Sequence, residues 1–345
     1  MPAMVEPGPL TPPSPDDRLI WDTWLSAHRL PALLAADDLG AFALLHRRPM
    51  AAPEAARELG VGPRASTALL GLLAALGFLE ERDGVYHLTD VSRHYLLPES
   101  PWYWGAMLHS ARELTLTHAF VKETLQRDRR PDRERSTDGW KSGHLSPERA
   151  LQLTRAMHAH SQPAAVGLAG SGLLHDVSRL LDVGGGSGCF TIALARAMPQ
   201  FRGTILELPP VCAAAQSYID AAGVADRVVT QAADMFRDPW PTGHDAVFFS
   251  NIFHDWDETT CRDLARRAFE ALPSGGRILL HEMLLDENRA APLAAAAFSM
   301  HMMIFTEGKQ FTASELIGLL RSVGFVDCAA APSYGYYSLV SGRKS

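Results

Sequence analysis

The sequence predicts an α/β protein: a Rossmann-like, doubly wound sheet with an antiparallel edge strand, preceded by an α-helical, winged-helix-like domain. Two observations carry most of this. Leu181-Asp182-Val183-Gly184-Gly185-Gly186-Ser187-Gly188-Cys189-Phe190 passes from apolar residues through alternate glycines into the helical pattern of residues 191–196. That order is strand, tight loop, helix. Beyond it, short apolar runs alternate regularly with helical sequence, as in a parallel sheet with crossover helices.

Taken in order, residues 1–17 are proline-rich, lack an apolar segment, and read as a disordered leader rather than a signal peptide. Residues 18–110 form a first domain. Residues 53–60 and 63–70 give helix, glycine turn, helix; residues 77–80 and 84–88 give a hairpin around Arg82-Asp83-Gly84. This is a winged-helix outline, which alone points to DNA. The second helix, however, has Arg64 as its sole basic residue and is apolar at Leu69, Leu70, Leu72, Leu73 and Leu76. Such a helix packs against protein, so dimerisation is expected instead. Residues 111–175 read as a helical connector reaching the active site, with a charged turn from Arg127 to Arg135. Residues 176–345 hold the sheet. Strands are expected at 179–183, 203–207, 228–232, 246–250 and 277–282, with 335–340 as the antiparallel edge.

Composition narrows the function classes. With 345 residues, 47% hydrophobic and 21% charged, the chain has the profile of a two-domain globular protein. A formal charge of −7 disfavours nucleic acid, which asks for a basic stripe. Cys189, Cys212, Cys261 and Cys328 lie far apart without a CxxC pair, so reduced thiols and a cytoplasmic location are expected. The most apolar window, residues 293–305, is too short to span a bilayer and contains Ser299 and His301. No membrane segment is expected.

The glycine spacing selects the nucleotide. A dinucleotide loop wants G-x-G-x-x-G, whereas here glycines fall at 184, 186 and 188. This loop suits S-adenosylmethionine (SAM), which has no pyrophosphate to cradle. Ligands of an open α/β sheet lie across the carboxyl ends of its strands, and those ends supply a consistent set. Asp182, Gly184 and Gly186 form the first. Glu207 and Leu208 close the second strand, where an acid accepts both ribose hydroxyls. Asp234 and Met235 close the third, offering a carboxylate to the adenine amino group and a soft side chain to the ring. Ser250 closes the fourth. Each acid taken singly reads equally well as a solvated surface carboxylate; their register with the glycine loop favours the site.

These residues resemble the SAM-dependent small-molecule O-methyltransferases of the plant caffeate and bacterial polyketide type, over residues 19 to 345. The resemblance rests on residues 182–188, Glu207-Leu208-Pro209, Asp234-Met235-Phe236, Phe253-His254-Asp255-Trp256-Asp257-Glu258, Leu272-Pro273-Ser274-Gly275-Gly276 and Gly324-Phe325. It implies a homodimer acting on a small-molecule acceptor, with Met157 and Ser161 as further cofactor contacts. It also implies His254 as catalytic base and Glu282 as its carboxylate partner. The chemistry agrees: in-line methyl transfer asks the protein chiefly to align the reactants. A phenol must lose a proton, and a histidine oriented by a carboxylate accepts one near neutrality. The plain alternative makes His254 a helix-start residue satisfied by Asp257 or Glu258.

Three positions depart from the family pattern. Gly308-Lys309-Gln310-Phe311-Thr312 has Gln310 in place of an acid, His301 stands where methionine or leucine is usual, and Ser250 replaces a lysine. Two histidines, His254 and His301, facing across an acceptor pocket would leave open positions on zinc or iron, to be chelated by a 2-oxo acid. The metal would acidify the neighbouring carbon, whose enolate attacks the methyl group. The sequence therefore favours metal-assisted β-carbon methylation of a 2-oxo acid, with O-methylation of a phenol or enol as the alternative. Against the metal stands the reading of His301 as a core residue among Met300, Met302 and Met303. His281 should point away from Glu282, its strand neighbour, and His158 is expected to be structural. Trp102, Trp104 and Trp140 are candidate roof residues; Arg112 and Arg155 are candidates for an acceptor carboxylate.

Overall fold

The structure, a computed structural model, describes residues 14–112, 116–128 and 138–345. Most of the expected leader and of the charged turn after Arg127 thus lies outside the described residues. The chain divides into two compact units, one ending at Arg112 and the other starting at Glu113.

In the first unit, helices Ala52–Leu59 and Pro63–Ala75 carry proline in their first turns. The first of them ends on Gly60 in the left-handed region, the usual division of labour between these residues. Arg82 pairs with Val85, leaving Asp83-Gly84 as a two-residue turn with φ of 52° and 83°. Positive φ at both positions is the hairpin turn that matches strand twist. A third strand, Met50–Ala51, pairs with Val85 and Tyr86; two residues were too few to signal it. Leu70 and Leu73 are fully buried with Phe42, Leu45 and Met50 in this unit's own core. Part of the helix's apolar character is therefore spent within the unit. Helix Arg18–Leu25 differs: it has no buried residue, and Leu19, Ile20 and Trp24 are 75%, 71% and 63% exposed.

The second unit is built on a sheet with strands β1 (Arg179–Val183), β2 (Arg202–Glu207), β3 (Val228–Ala232), β4 (Ala246–Ser250), β5 (Arg277–Met283), β6 (Phe325–Tyr334) and β7 (Tyr337–Lys344). Their order is β3-β2-β1-β4-β5-β7-β6. The first five strands are parallel, and β7 runs antiparallel to both neighbours. The last strand is thus not the edge, as the sequence suggested; it is interior, and β6 takes the edge. β6 escaped notice because Ala329-Ala330-Ala331-Pro332 lacks β-branched residues, and proline is tolerated at an edge.

Alternate residues of each central strand enter opposite cores. Leu181, Val247, Phe249, Ile278 and Leu280 fill one face, while Leu180, Ile205, Phe248 and Leu279 fill the other. Helices α1 (Pro147–Gly170), α2 (Cys189–Ala197), α3 (Pro209–Ala222), α4 (Glu258–Ala271), α5 (Leu293–Phe305) and α6 (Ala313–Val323) accompany the sheet. Strand order reverses between β1 and β4, opening the crevice where ligands of such sheets bind.

The loop after β1 depends on its glycines. Gly188 caps α2 with φ of 74°, and a Cβ there would lie 2.2 Å from Ile205 Cδ1. The final glycine of the G-x-G-x-G pattern therefore lets α2 start against the sheet. At Gly185 a Cβ would meet the Asp182 carboxyl at 2.7–2.9 Å. Gly188→Ala should destabilise the protein by about 2–4 kcal/mol, combining left-handed strain with overpacking. Gly223→Ala, also at positive φ but in open space, should cost only about 1 kcal/mol. Urea unfolding midpoints of the two variants check the difference.

Candidate functional site

Two buried acids shape the glycine loop. Asp182, 1% exposed, accepts the Thr191 hydroxyl at 2.6 Å and so ties β1 to the first turn of α2. Burial pushes its carboxyl up to about 7 against the lowering effect of that bond. Glu207 ends β2 and accepts the Gly186 N–H at 3.2 Å on one oxygen and the Leu208 N–H at 2.9 Å on the other. Burial raises it also, to about 7, while the two backbone bonds pull it down. A carboxylate at this strand end thus holds the loop while lying at its rim. Gly186 has φ of 57° and nothing within 4 Å of a would-be Cβ, which leaves the loop's outer side open.

Along the same rim, Leu208, Ala233 and Asp234 line one cleft with Gly143. Asp234 accepts the Phe236 N–H at 2.8 Å on one oxygen and pairs with Arg237 on the other. Arg237 also donates to the Lys141 carbonyl at 2.5 Å, bringing helix Asp138–Ser142 over the cleft. The Met235 sulfur lies 4.0 Å from a would-be Gly184 Cβ. From α1, Met157 is 42% exposed, Ser161 is buried, and His158 Nδ1 sits 2.9 Å from Ser187 Oγ in the loop. Asp182, Gly184, Gly186, Glu207, Leu208, Asp234 and Met235 are thus gathered about the loop. Ser250 turns elsewhere: its hydroxyl meets His281 Nδ1 at 3.1 Å.

As expected from strand alternation, His281 and Glu282 face opposite ways. His281 is fully buried, stacks on Tyr337 at 4.8 Å, and reaches Ser333 through Nε2. Burial holds its pKa down at about 3. Glu282 instead accepts the N–H groups of Ile252 at 3.2 Å and Phe253 at 3.0 Å. Its second oxygen lies 2.7 Å from His254 Nδ1 as a buried ion pair.

His254 occupies a short 3-10 turn, Phe253–Asp255, directly after β4, and is 4% exposed. Burial depresses its pKa, but the Glu282 carboxylate and then Asp255, 3.8 Å from Nε2, outweigh it and lift the imidazole to about 8. The helix-start alternative fails on position: Asp257 caps α4 through the Thr260 N–H. Residues 306–312 wrap this turn. The Glu307 N–H donates to the Asp255 carbonyl at 3.1 Å, and a Cβ on Gly308 would sit 2.0 Å from the His254 carbonyl oxygen.

His301 lies in an aromatic file on α5: Phe298 meets His254 edge-on at 5.2 Å, and His301 packs on Phe305 at 4.5 Å. Burial lowers its pKa, and His254 lowers it further, so the two imidazoles sense one another. Gln310 is 1% exposed, and neither atom of its amide is hydrogen-bonded. Its backbone N–H donates to Ser299 Oγ at 3.2 Å. Among the described residues, three metal-type ligands converge at Asp37, Asp38 and His109; His254 and His301 gain no third. Arg112 is ion-paired with Asp37 and Asp38, Arg155 is exposed, and Trp140 packs beside Leu208 and Ala150.

One link was invisible in the sequence. A Cβ on Gly184 would lie 2.5 Å from Ile252 Cδ1, so the glycine loop touches the segment that carries His254. An ordinary isoleucine, sixty-eight residues away in the chain, gives no sequence signal of this.

This parallel sheet with an antiparallel end, its glycine loop and its strand-end acids are those of a SAM-dependent methyltransferase. An O-methyltransferase domain model matches residues 127–326, and an O-methyltransferase dimerisation domain model matches residues 21–98. The chain belongs to the O-methyltransferase family. It is 38% identical to the 3-hydroxy-5-methyl-1-naphthoate 3-O-methyltransferase of Streptomyces sahachiroi over 317 residues, 89% of this chain and 88% of that one. It is 31% identical to the L-tyrosine C(3)-methyltransferase of Streptomyces lavendulae over 304 residues, 85% and 82% of the two chains. Human N-acetylserotonin methyltransferase, crystallised with SAM, aligns with a TM-score of 0.82 at 26% identity, covering 96% of this chain and 99% of that one.

If Glu282 lifts His254 to about 8, Glu282→Gln should remove the larger raising influence and leave burial opposed by Asp255 alone. The His254 titration, followed by NMR of the imidazole, should then move from about 8 to below about 6.5. An unmoved titration would show that Glu282 does not set it.

Proposed function

We propose that this enzyme O-methylates a phenolic or enolic small molecule of secondary metabolism, with His254 as general base and Glu282 orienting it. This reading displaces the metal-assisted carbon methylation favoured from sequence. One observation supports it above all. The imidazole sits 2.7 Å from a buried carboxylate, on a segment whose Ile252 packs against the glycine loop. A proton acceptor is thus built beside the cofactor cradle.

Bound SAM supplies an electrophilic sulfonium methyl group. The residues present fit it: Glu207 offers carboxylate oxygens for ribose hydroxyls. Asp234, Met235 and Leu208 offer an acceptor and apolar surface to adenine, and Asp182, Gly184 and Gly186 shape the loop. Met157 and Ser161 approach from α1. On the acceptor side, Glu282 engages His254 Nδ1 and so leaves Nε2 to take the hydroxyl proton. Phe298 packs edge-on against the His254 ring at 5.2 Å and helps hold it in place.

The relative from Streptomyces sahachiroi is named for a ring hydroxyl of a naphthoate, so a hydroxynaphthoate is the first acceptor to try. Only neutral His254 accepts a proton. Because its pKa is raised to about 8, kcat/KM should climb with pH and level off above that value. His254→Ala should lower kcat by about 10²–10⁴-fold, the usual worth of a general base, with SAM affinity unchanged in calorimetry. Full activity of that variant would remove the base from the mechanism.

The second reading keeps His254 and His301 as ligands of zinc or iron and methylates carbon. Their mutual electrostatic influence favours it; the missing third ligand and the hold of Glu282 weigh against it. Metal analysis, with turnover of 2-oxo acids before and after chelation, separates the two. The O-methylation reading expects metal-free protein to retain full activity on a phenol.

The protein is further proposed to be a cytoplasmic homodimer. Its four cysteines are unpaired, and no helix among the described residues is long and apolar enough to cross a membrane. The dimerisation model begins at residue 21, inside the exposed helix Arg18–Leu25, whose apolar face a second copy would cover. Trp21→Ser with Trp24→Ser should shift the sedimenting species from dimer toward monomer. An unchanged dimer would place the interface elsewhere.

A further inference from the structure

We propose that His158 is a positioning residue for the cofactor, clasping the glycine loop from α1 and holding it in the shape that receives SAM. The inference rests on the cofactor cradle described above. His158 Nδ1 lies 2.9 Å from Ser187 Oγ, and its ring stacks on Tyr218 at 4.1 Å and 27°. Ser187 is in the loop after β1; Tyr218 is on α3, the helix that starts directly after Glu207 and Leu208. One imidazole therefore bridges the glycine loop and the helix that follows the Glu207–Leu208 strand end.

The loop needs such a tie. Ser187 stands between Gly186 and Gly188, which have φ of 57° and 74°, a backbone that no helix or strand ladder supports. Glu207 fixes the loop at the Gly186 N–H. His158 fixes it one residue further on, where Ser187 is 3% exposed. Burial keeps the imidazole neutral, with a pKa of about 4, so the clasp does not switch near neutral pH. A methionine or leucine would pack on Tyr218 equally well. What imidazole adds is the bond to the serine hydroxyl, and an unpaired hydroxyl in a buried loop is costly. Met157 precedes His158 and Ser161 follows one turn later on the same helix, so the clasp also sets the register of both side chains over the loop.

The test is a double-mutant cycle on the full-length protein, with SAM affinity read by calorimetry. His158→Ala and Ser187→Ala should each raise the SAM dissociation constant about five- to tenfold, the scale of one net hydrogen bond. The double variant should be no weaker than the weaker single one. His158→Asn, whose amide can replace Nδ1, should recover part of the loss. Acceptor KM at saturating SAM should move by less than about twofold for His158→Asn. Additive effects, or a lowered melting temperature with unchanged SAM affinity, would overturn the clasp and make His158 a packing residue. Wild-type protein that fails to bind SAM would instead overturn the cradle itself.

Discussion

Burying the Glu282 carboxylate creates a demand that organises the acceptor side of this enzyme. A carboxylate in an apolar interior is tolerated only when its lone pairs are met. Here two backbone N–H groups, from Ile252 and Phe253, and one imidazole meet them. The two amides belong to the segment leaving β4, so the acid on β5 sets where that segment turns. Once it turns there, His254 is delivered to the crevice with its Nδ1 side already engaged. Residues 306–312 then close over the turn by packing Gly308 on the His254 carbonyl.

The cofactor side repeats the device. Glu207, at the end of β2, takes the N–H groups of Gly186 and Leu208 and so positions the loop beside it and the helix after it. In both places an acid at a strand end satisfies the adjoining backbone. The difference is the third partner. Glu282 has an imidazole beside it, whereas the Glu207 carboxylate is met by two backbone N–H groups. The contact between Ile252 and the glycine loop joins the two assemblies.

Much of this was legible in the chain. The strand ends appear in the sequence because a buried parallel strand is a continuous apolar run, and an acid or glycine ending such a run stands out. Glu207, Asp234, His254 and Glu282 were found that way or by family resemblance. The edge strand β6 was not, since an alanine- and proline-rich edge has no apolar signature. Nor were the ties that hold the site together. Ile252 on Gly184, Arg237 on Lys141 and His158 on Ser187 join residues from distant parts of the chain, and periodicity carries no information about such pairs. His301 and Gln310 were noticed as departures, but their meaning depended on burial and neighbours that spacing does not specify.

Gln310 bears on how the base is tuned. The family pattern places an acid at this position, two residues beyond the Gly308 that packs on His254. An ionised acid so near would add to the pull of Glu282 and Asp255, and each nearby negative charge raises an imidazole pKa. His254 already stands at about 8 with those two alone. A further rise would shrink the neutral, proton-accepting fraction still more, and catalytic efficiency falls as base pKa and working pH diverge. A neutral amide adds no such charge. It remains buried with both polar atoms unpaired, a state that costs stability. By this account the exchange of acid for amide is not a loss of methyl-transfer machinery. It leaves Glu282 and Asp255 as the charges that raise His254.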